Sequence, residues 1–184
     1  MRLYHGTTAQ FDEFSMDFMG EHSTSEGLGL YFSDSKNVAK GYAYDTGRIF
    51  TIEFEGKKAI SAEKITFTRK EIETLVLELH KSTNLLEDYN DISYYGFDRV
   101  FNETLESLIE WNESDVELIC ELANTCGSKK EVLRVVYEIL GYDHCATKAT
   151  WGNDIGQEYV YTIFATDIFD IVEIENYEDV EMVI

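Results

Sequence analysis

The spacing of apolar residues changes period twice along this chain, and no other feature of the sequence constrains its fold as much. Arg48 to Glu55 alternates, with Phe50, Ile52 and Phe54 on one side and Thr51, Glu53 and Glu55 on the other, the pattern of a half-buried strand. From about residue 61 to 140 the period becomes helical. Ile72, Leu75, Val76 and Leu79 make one apolar stripe, and Phe101, Leu105, Leu108 and Ile109 a second. Val116, Ile119, Cys120 and Ala123 make a third, and Val132, Val135, Val136 and Ile139 a fourth. Ser114 to Glu117 and Ser128 to Glu131 each read as a capping box, and Gly141 as a helix stop. The end of the chain returns to strands, at His144 to Lys148, Glu158 to Phe164 and Phe169 to Ile174. Sheet, helical block and sheet make an α+β chain, and 184 residues make it a single domain (1–184) with a helical insertion at about 61–140.

The residues before the helical block hold most of the chemistry. Arg2 to His5 reads as a strand running into a turn at Gly6-Thr7-Thr8. His5 stands where that strand ends, beside a glycine whose bare backbone lets a ligand approach closely. Phe11, Phe14 and Phe18 read as core. Residues 20–26 (GEHSTSE) are small and polar, a loop suited to folding over a ligand. Gly27 to Ala43, GLGLYFSDSKNVAKGYA, reads as a glycine-marked turn, a strand from Leu28 to Ser33, and a brief helix capped by Asp34 or Ser35. It carries Tyr31 and Tyr42, eleven residues apart on two elements, which can bring two aromatic rings towards one cleft. Far along the chain, Glu158 opens an otherwise apolar strand, where burial of a carboxylate is costly unless it has a partner or a task.

Charge and composition narrow the function. The 36 acidic residues against 15 basic give a net charge of −21, which argues against nucleic acid as a direct partner, since that binding rests on Lys and Arg neutralising phosphates. The same charge suits a basic protein target, or solubility alone. Glu103, Glu106, Glu110, Glu113 and Glu121 read as the solvated faces of helices. No run of 18 apolar residues suggests a membrane span and no apolar leader opens the sequence, so a cytoplasmic location is expected. Cys120, Cys126 and Cys145 are not spaced for a metal and read as reduced thiols. His5, His22, His80 and His144 are scattered, so no metal is expected. There is no P-loop, no HExxH and no GxSxG, and Gly27-Leu28-Gly29 lacks the third glycine of a dinucleotide fingerprint.

Three short motifs remain, and in their order the chain resembles the His-Tyr-Glu class of ADP-ribosyltransferases, the diphtheria-toxin and poly(ADP-ribose) polymerase branch. The family's His-Gly-Ser/Thr is matched by His5-Gly6-Thr7. Its Gly-x-Gly-aliphatic-Tyr-Phe, followed by a helix with a second tyrosine, is matched by Gly27-Leu28-Gly29-Leu30-Tyr31-Phe32 and Tyr42. Its Glu-Tyr strand is matched by Gln157-Glu158-Tyr159-Val160-Tyr161. The likeness covers roughly residues 1–43 and 141–174 and leaves the helical block outside. A softer likeness, through Val132 to Asp143 feeding the last motif, is to small phage and mobile-element ADP-ribosyltransferases. One branch of these is a type I-F anti-CRISPR enzyme that modifies a subunit of a host defence complex. One departure stands out: Ala39, three residues before Tyr42, occupies the place where polymerase relatives use a serine to hold the nicotinamide amide.

The resemblance implies an ADP-ribosyltransferase-like split β-sheet core and NAD as donor, with no metal. It implies that Glu158, Tyr31 and His5 act in catalysis, and that His5, Gly6, Thr7, Gly29, Tyr31 and Tyr42 bind NAD. Cleavage of the bond from nicotinamide to ribose builds positive charge on the sugar, which a fixed carboxylate such as Glu158 stabilises more than it does the ground state. Tyr31 and Tyr42 would sandwich the nicotinamide ring, Gly6 would bond its amide, and His5 the adenosine ribose. A single transfer to a protein side chain is expected, in a phage-type inhibitor of CRISPR defence, a toxin or another effector. Other readings stay open: NAD hydrolysis, transfer to nucleic acid, RNA 2′-phosphotransfer, and an inactive binding or inhibitor module on the same fold. The acceptor loop, residues 149–156, matches nothing recognisable.

Overall fold

Alternating apolar segments at both ends of the chain come together as one sheet, and the helical segments between them close over its far end. The computed structural model describes residues 1–18, 28–148 and 158–176. Strands β1 (Arg2–Thr7) and β2 (Leu30–Ser33) come first, followed by helix α1 (Lys36–Ala43) and strands β3 (Arg48–Phe54) and β4 (Ala59–Ile60). The helical block comes next, as α2 (Arg69–Thr83), α3 (Leu85–Tyr89), α4 (Ile92–Tyr95), α5 (Phe97–Trp111), α6 (Asp115–Cys126) and α7 (Lys129–Arg134). Strands β5 (His144–Lys148), β6 (Tyr159–Ile163) and β7 (Phe169–Asn176) complete the sheet, whose spatial order is β4-β5-β6-β2-β1-β3-β7. Of the pairings described, β4 with β5 is parallel and the rest are antiparallel. The α+β expectation holds.

Strand β3 is buried more fully than its alternation suggests. Phe50, Ile52 and Phe54 are buried as expected, but Ile49 and Thr51 on the opposite side are buried too. The reason is α1, whose Ala39 and Ala43 pack with Ile49 and Tyr4 on that face of the sheet. A helix too short to show a strong apolar stripe thus covers residues that the sequence leaves to solvent.

The helical block holds six α-helices among the described residues, where the apolar stripes predict four. Asn84, in the left-handed region at φ 59°, ends α2, and its amide donates to the carbonyl of His80. Two short helices, α3 and α4, then carry the chain to α5. Neither expected capping box closes fully. Ser114 and Ser128 accept from the amides of Glu117 and Glu131, but the carboxylate of Glu117 turns to the amide of Glu113, and that of Glu131 to Arg134. A complete box forms instead at Thr68 and Glu71, at the start of α2. Burial pushes the Glu71 carboxyl up, but bonds from Thr68, Lys58 and Tyr142 outweigh it and hold the group down to about 2. After α7 the helix widens into a π-turn over Val135–Ile139, which rotates Ile139 off the apolar stripe into solvent while Val135 and Val136 stay buried.

One core joins the helices to the sheet. Leu75, Leu105, Leu118 and Val136 pack with Leu28, with Ile60 and Cys145 of β4 and β5, and with Phe164. Two carboxylates within this region are structural. Asp115, fully buried, accepts from the amides of Ser61, Thr66 and Phe67 and from the Thr66 hydroxyl, tying the β4–α2 connection to α6. Asp143, also buried, accepts from the amides of Lys57 and Lys58 and bonds His144. The acidic surface expected from composition therefore has exceptions. Glu121, which the sequence pattern leaves to solvent, is another, since it accepts from Tyr89 and Asn112 in a half-buried position.

Candidate active site

Two of the three expected motifs, those of His5 and Tyr31, meet where the β1–β2 ladder ends. Strand β1 runs along β3 over six registered pairs, from Arg2 with Glu53 to Thr7 with Arg48. On its other side it meets β2 at one registered pair, Tyr4 with Ser33. Beyond that pair no further β1–β2 pair is registered, so His5-Gly6-Thr7 and Leu30-Tyr31 flank an opening in the backbone ladder.

His5 spans the opening. Its Nδ1 lies 2.7 Å from the carbonyl oxygen of Tyr31, and because a carbonyl can only accept, Nδ1 carries the proton. Phe11, Phe14, Phe32 and Phe50 pack around the imidazole with ring centroids 5.1 to 6.4 Å away. Burial among these rings lowers the His5 pKa below the usual histidine value, outweighing the raising effect of the Tyr31 carbonyl. The ring is therefore neutral near pH 7, with Nε2 left as an acceptor. The registers place Tyr4, Ser33, Tyr31 and Thr162 on the face covered by α1, and His5 with Phe32 and Phe50 on the other. The structure thus joins His5 to the Tyr31 backbone, while the two rings leave the sheet on opposite sides.

The glycines of the site serve packing first. A Cβ on Gly6 would lie 1.7 Å from the Ala39 carbonyl oxygen, so the space expected to admit a ligand at its Cα is filled by α1. Gly29 has φ 136°, and a Cβ there would meet the Ile163 carbonyl oxygen at 2.5 Å, so its close approach is to β6. Ala39 is buried in the same helix–sheet contact as Gly6, where its methyl packs with Ala43 and Ile49. Tyr31 is half-buried on β2, and Tyr42 stands in the last turn of α1, 47% exposed. Thr7 uses its hydroxyl to accept from the amide of Ala9, closing the turn after β1.

Glu158 is half-buried at the head of β6, next to the end of β2. The residue that ties this strand end is one whose sequence context suggests a helix cap. Of the two candidate caps of α1, Ser35 takes the N-cap position, with no side-chain cap bond, and Asp34 turns elsewhere. The Asp34 carboxylate accepts from the Tyr159 amide at 2.9 Å, while the Asp34 amide donates to the Tyr159 carbonyl at 3.1 Å. The chain must leave β2 at this point to begin α1, and the carboxylate replaces the backbone carbonyl as acceptor for β6. A short polar residue just after a strand can signal such a role, but not its partner.

The loops expected to close over the donor (20–26) and to select the acceptor (149–156) lie outside the described residues, as do His22, Gly27, Gln157 and the side chain of Phe18. A groove of 910 Å³ lies at another part of the molecule, lined by Arg2, Glu53, Lys57, Tyr137, Asp143 and Asp167 among others, and includes none of the expected site residues. Among the described residues no cluster of His, Cys, Asp and Glu could hold a metal, and no helix is long and apolar enough to cross a membrane. None of the three cysteines is in a disulfide.

No curated protein and no solved structure matches the chain. One family model does, over residues 1–160, and it describes an ADP-ribosyltransferase found in polyvalent proteins. The match runs through the helical block, which the motif likeness leaves outside, and so takes in β1, β2, α1, Glu158 and all the helices between. The chain belongs to this ADP-ribosyltransferase family, whose members use NAD as substrate.

Proposed function

We propose that the protein is a mono-ADP-ribosyltransferase that moves ADP-ribose from NAD to a side chain of a target protein and releases nicotinamide. The observation that carries this reading is the opening between β1 and β2, bridged by His5 and Tyr31, with Glu158 at the head of the neighbouring strand β6, level with the end of β2. The site residues suit the donor. Gly6 and Tyr31 present backbone edges at the opening, as the amide of a nicotinamide ring requires. Tyr42, exposed on α1 on the same side of the sheet as Tyr31, supplies the second aromatic face. Gly29 and Thr7 fix the two loop ends that frame the opening.

In the reaction, the bond from ribose to the nicotinamide nitrogen breaks with its electron pair passing to nitrogen. The acceptor side chain forms the new bond to that carbon and gives up its proton. Glu158 stabilises the charge that develops on the sugar and holds the ribose 2′-hydroxyl. Neutral His5 accepts a ribose hydroxyl at Nε2, because its Nδ1 is committed to Tyr31. Tyr31 and Tyr42 stack on the leaving ring, at about 0.5–1.5 kcal/mol per aromatic pair.

The net charge of −21 favours a protein acceptor with a basic surface over nucleic acid. The likeness to small phage and mobile-element enzymes suggests an effector in the cytoplasm, acting as an anti-CRISPR inhibitor of a host defence complex or as a toxin. We take the helical block at about 61–140 as part of one domain, placed to choose the acceptor. The test is incubation with labelled NAD and cell lysate, with Glu158→Gln in parallel. Label in protein, lost in the variant, is the expected result. Intact NAD in the wild-type reaction overturns the reading, label in nucleic acid replaces the acceptor, and consumption of NAD without labelled product makes the enzyme a glycohydrolase.

A further inference from the structure

We infer that Asp34 is a positioning residue for Glu158, setting the catalytic rate without binding NAD. This rests on the role of Glu158 in the proposed transfer. Asp34 and Tyr159 are 125 residues apart in sequence and joined by two hydrogen bonds, one to the carboxylate and one between backbones. Glu158 is the residue immediately before Tyr159, so its Cα can move only as far as the Tyr159 amide allows. The amide is the nearer end of Tyr159 to Glu158, and it is held by the Asp34 side chain and not by a β2 carbonyl. The registered ladder between β2 and β6 ends at Ser33 with Val160, so the Asp34 contacts are the last ties from the β2 side before Glu158.

The carboxylate is needed because the chain turns into a helix immediately after it. Ser35 is already the N-cap of α1, with φ −108° and ψ 119°, and its amide donates to the Ser33 hydroxyl. The backbone is turning from strand to helix over these residues, and a side-chain oxygen can follow the Tyr159 amide where the main chain cannot. The Tyr161 hydroxyl pKa is raised by burial first and then by the negative charges of Asp34 and Tyr159. Asp34 is exposed, so the pair adds little to global stability, and its effect falls on local geometry.

The experiment measures nicotinamide release in Asp34→Ala, Asp34→Asn and Glu158→Gln, and in the double variant of Asp34→Ala with Glu158→Gln. Asp34→Ala should lower kcat on the order of tenfold, as a small misplacement of a catalytic group does, with KM for NAD within about twofold of wild type. Asp34→Asn keeps an oxygen acceptor and should recover kcat to within about threefold. In the Glu158→Gln background, Asp34→Ala should cause no further loss, since the two residues act as a unit. A wild-type kcat in Asp34→Ala, a rise in KM alone, or a further loss in the double variant each overturns the inference while leaving the role of Glu158 intact. A wild-type rate in Glu158→Gln overturns the parent reading and the inference with it. If Asp34→Ala does not fold, Asp34→Glu takes its place; it keeps the charge but displaces the acceptor by one methylene, and a wild-type kcat there overturns the inference.

Discussion

The imidazole of His5 donates from Nδ1 to the carbonyl of Tyr31, 2.7 Å away, and this bond ties the two strands where their ladder has stopped. The bond sets the tautomer, and the surrounding phenylalanines keep the ring neutral. Folding thus favours the unprotonated form, with a pKa below the ordinary 6.5.

A pH dependence of stability arises from that shift. A histidine whose folded pKa is depressed contributes stability that is fully present above its unfolded value. That stability is lost as pH falls from the unfolded value towards the folded one, because the unfolded chain takes up the proton first. Thermal melts should show the midpoint falling as pH drops from about 7.5 to about 5.5, a window above the range of ordinary carboxylates. In His5→Gln this part of the decline should disappear. An identical pH profile in the variant means that His5 is not the titrating group.

Two glycines of the same region should respond in opposite ways. Gly6→Ala places a methyl 1.7 Å from the backbone oxygen of Ala39, which cannot yield unless α1 moves off the sheet. A loss of about 3 kcal/mol in urea unfolding is expected, at the upper end for overpacking. Gly41, on the exposed side of α1, has nothing within 4 Å of the place a Cβ would take. Gly41→Ala should stabilise by about 0.5–1 kcal/mol.

Tyr44 follows α1 with φ 47° and ψ −147°, a backbone region that glycine adopts freely and tyrosine does not. Its side chain is 67% exposed, so little burial offsets the strain. Tyr44→Gly should raise the urea midpoint, by about 1 kcal/mol of stability, and a variant less stable than wild type would mean that the ring holds a contact which the fold needs.

Asp115 is the most consequential polar residue in the helical block. Asp115→Ala leaves the amides of Ser61, Thr66 and Phe67 without their acceptor in a buried setting. A loss of roughly 3 kcal/mol or more is expected, since each orphaned buried donor costs its desolvation. Hydrogen exchange at those three amides should rise in the same variant, and unchanged protection there would locate the acceptor elsewhere.

Much of the fold is legible in the sequence because it depends on local periodicity. Strands β3, β5, β6 and β7 and the buried stripe of α2 fall where spacing puts them, since alternation and the 3.6-residue repeat are set by the backbone itself, whereas α6 buries Leu118 and Leu122 in place of the expected Val116 and Cys120. The extra turns of the helical block are not legible. Nothing in a stripe marks Asn84 as left-handed, and nothing in Val132 to Ile139 announces a π-turn. The candidate site is legible as three motifs but not as an arrangement. Gly6 reads as a site of close approach and Gly29 as part of a turn, but the neighbour that each meets is α1 in one case and β6 in the other.

By itself the sequence determined the order of sheet, helices and sheet, the acidic charge, and the residue types His5, Tyr31, Tyr42 and Glu158 in the order of an ADP-ribosyltransferase. These are properties of neighbours along the chain or of side-chain chemistry. The tertiary structure decided the contacts of each residue. It gave His5 its tautomer through a carbonyl 26 residues away, and it turned Asp34 from a candidate helix cap to an amide 125 residues away. It also buried Asp115 and Asp143 among backbone donors that no local pattern reveals. Hydrogen-bond partners are chosen by distance in space, and for these residues that distance exists only once the sheet has closed around β1 and β2.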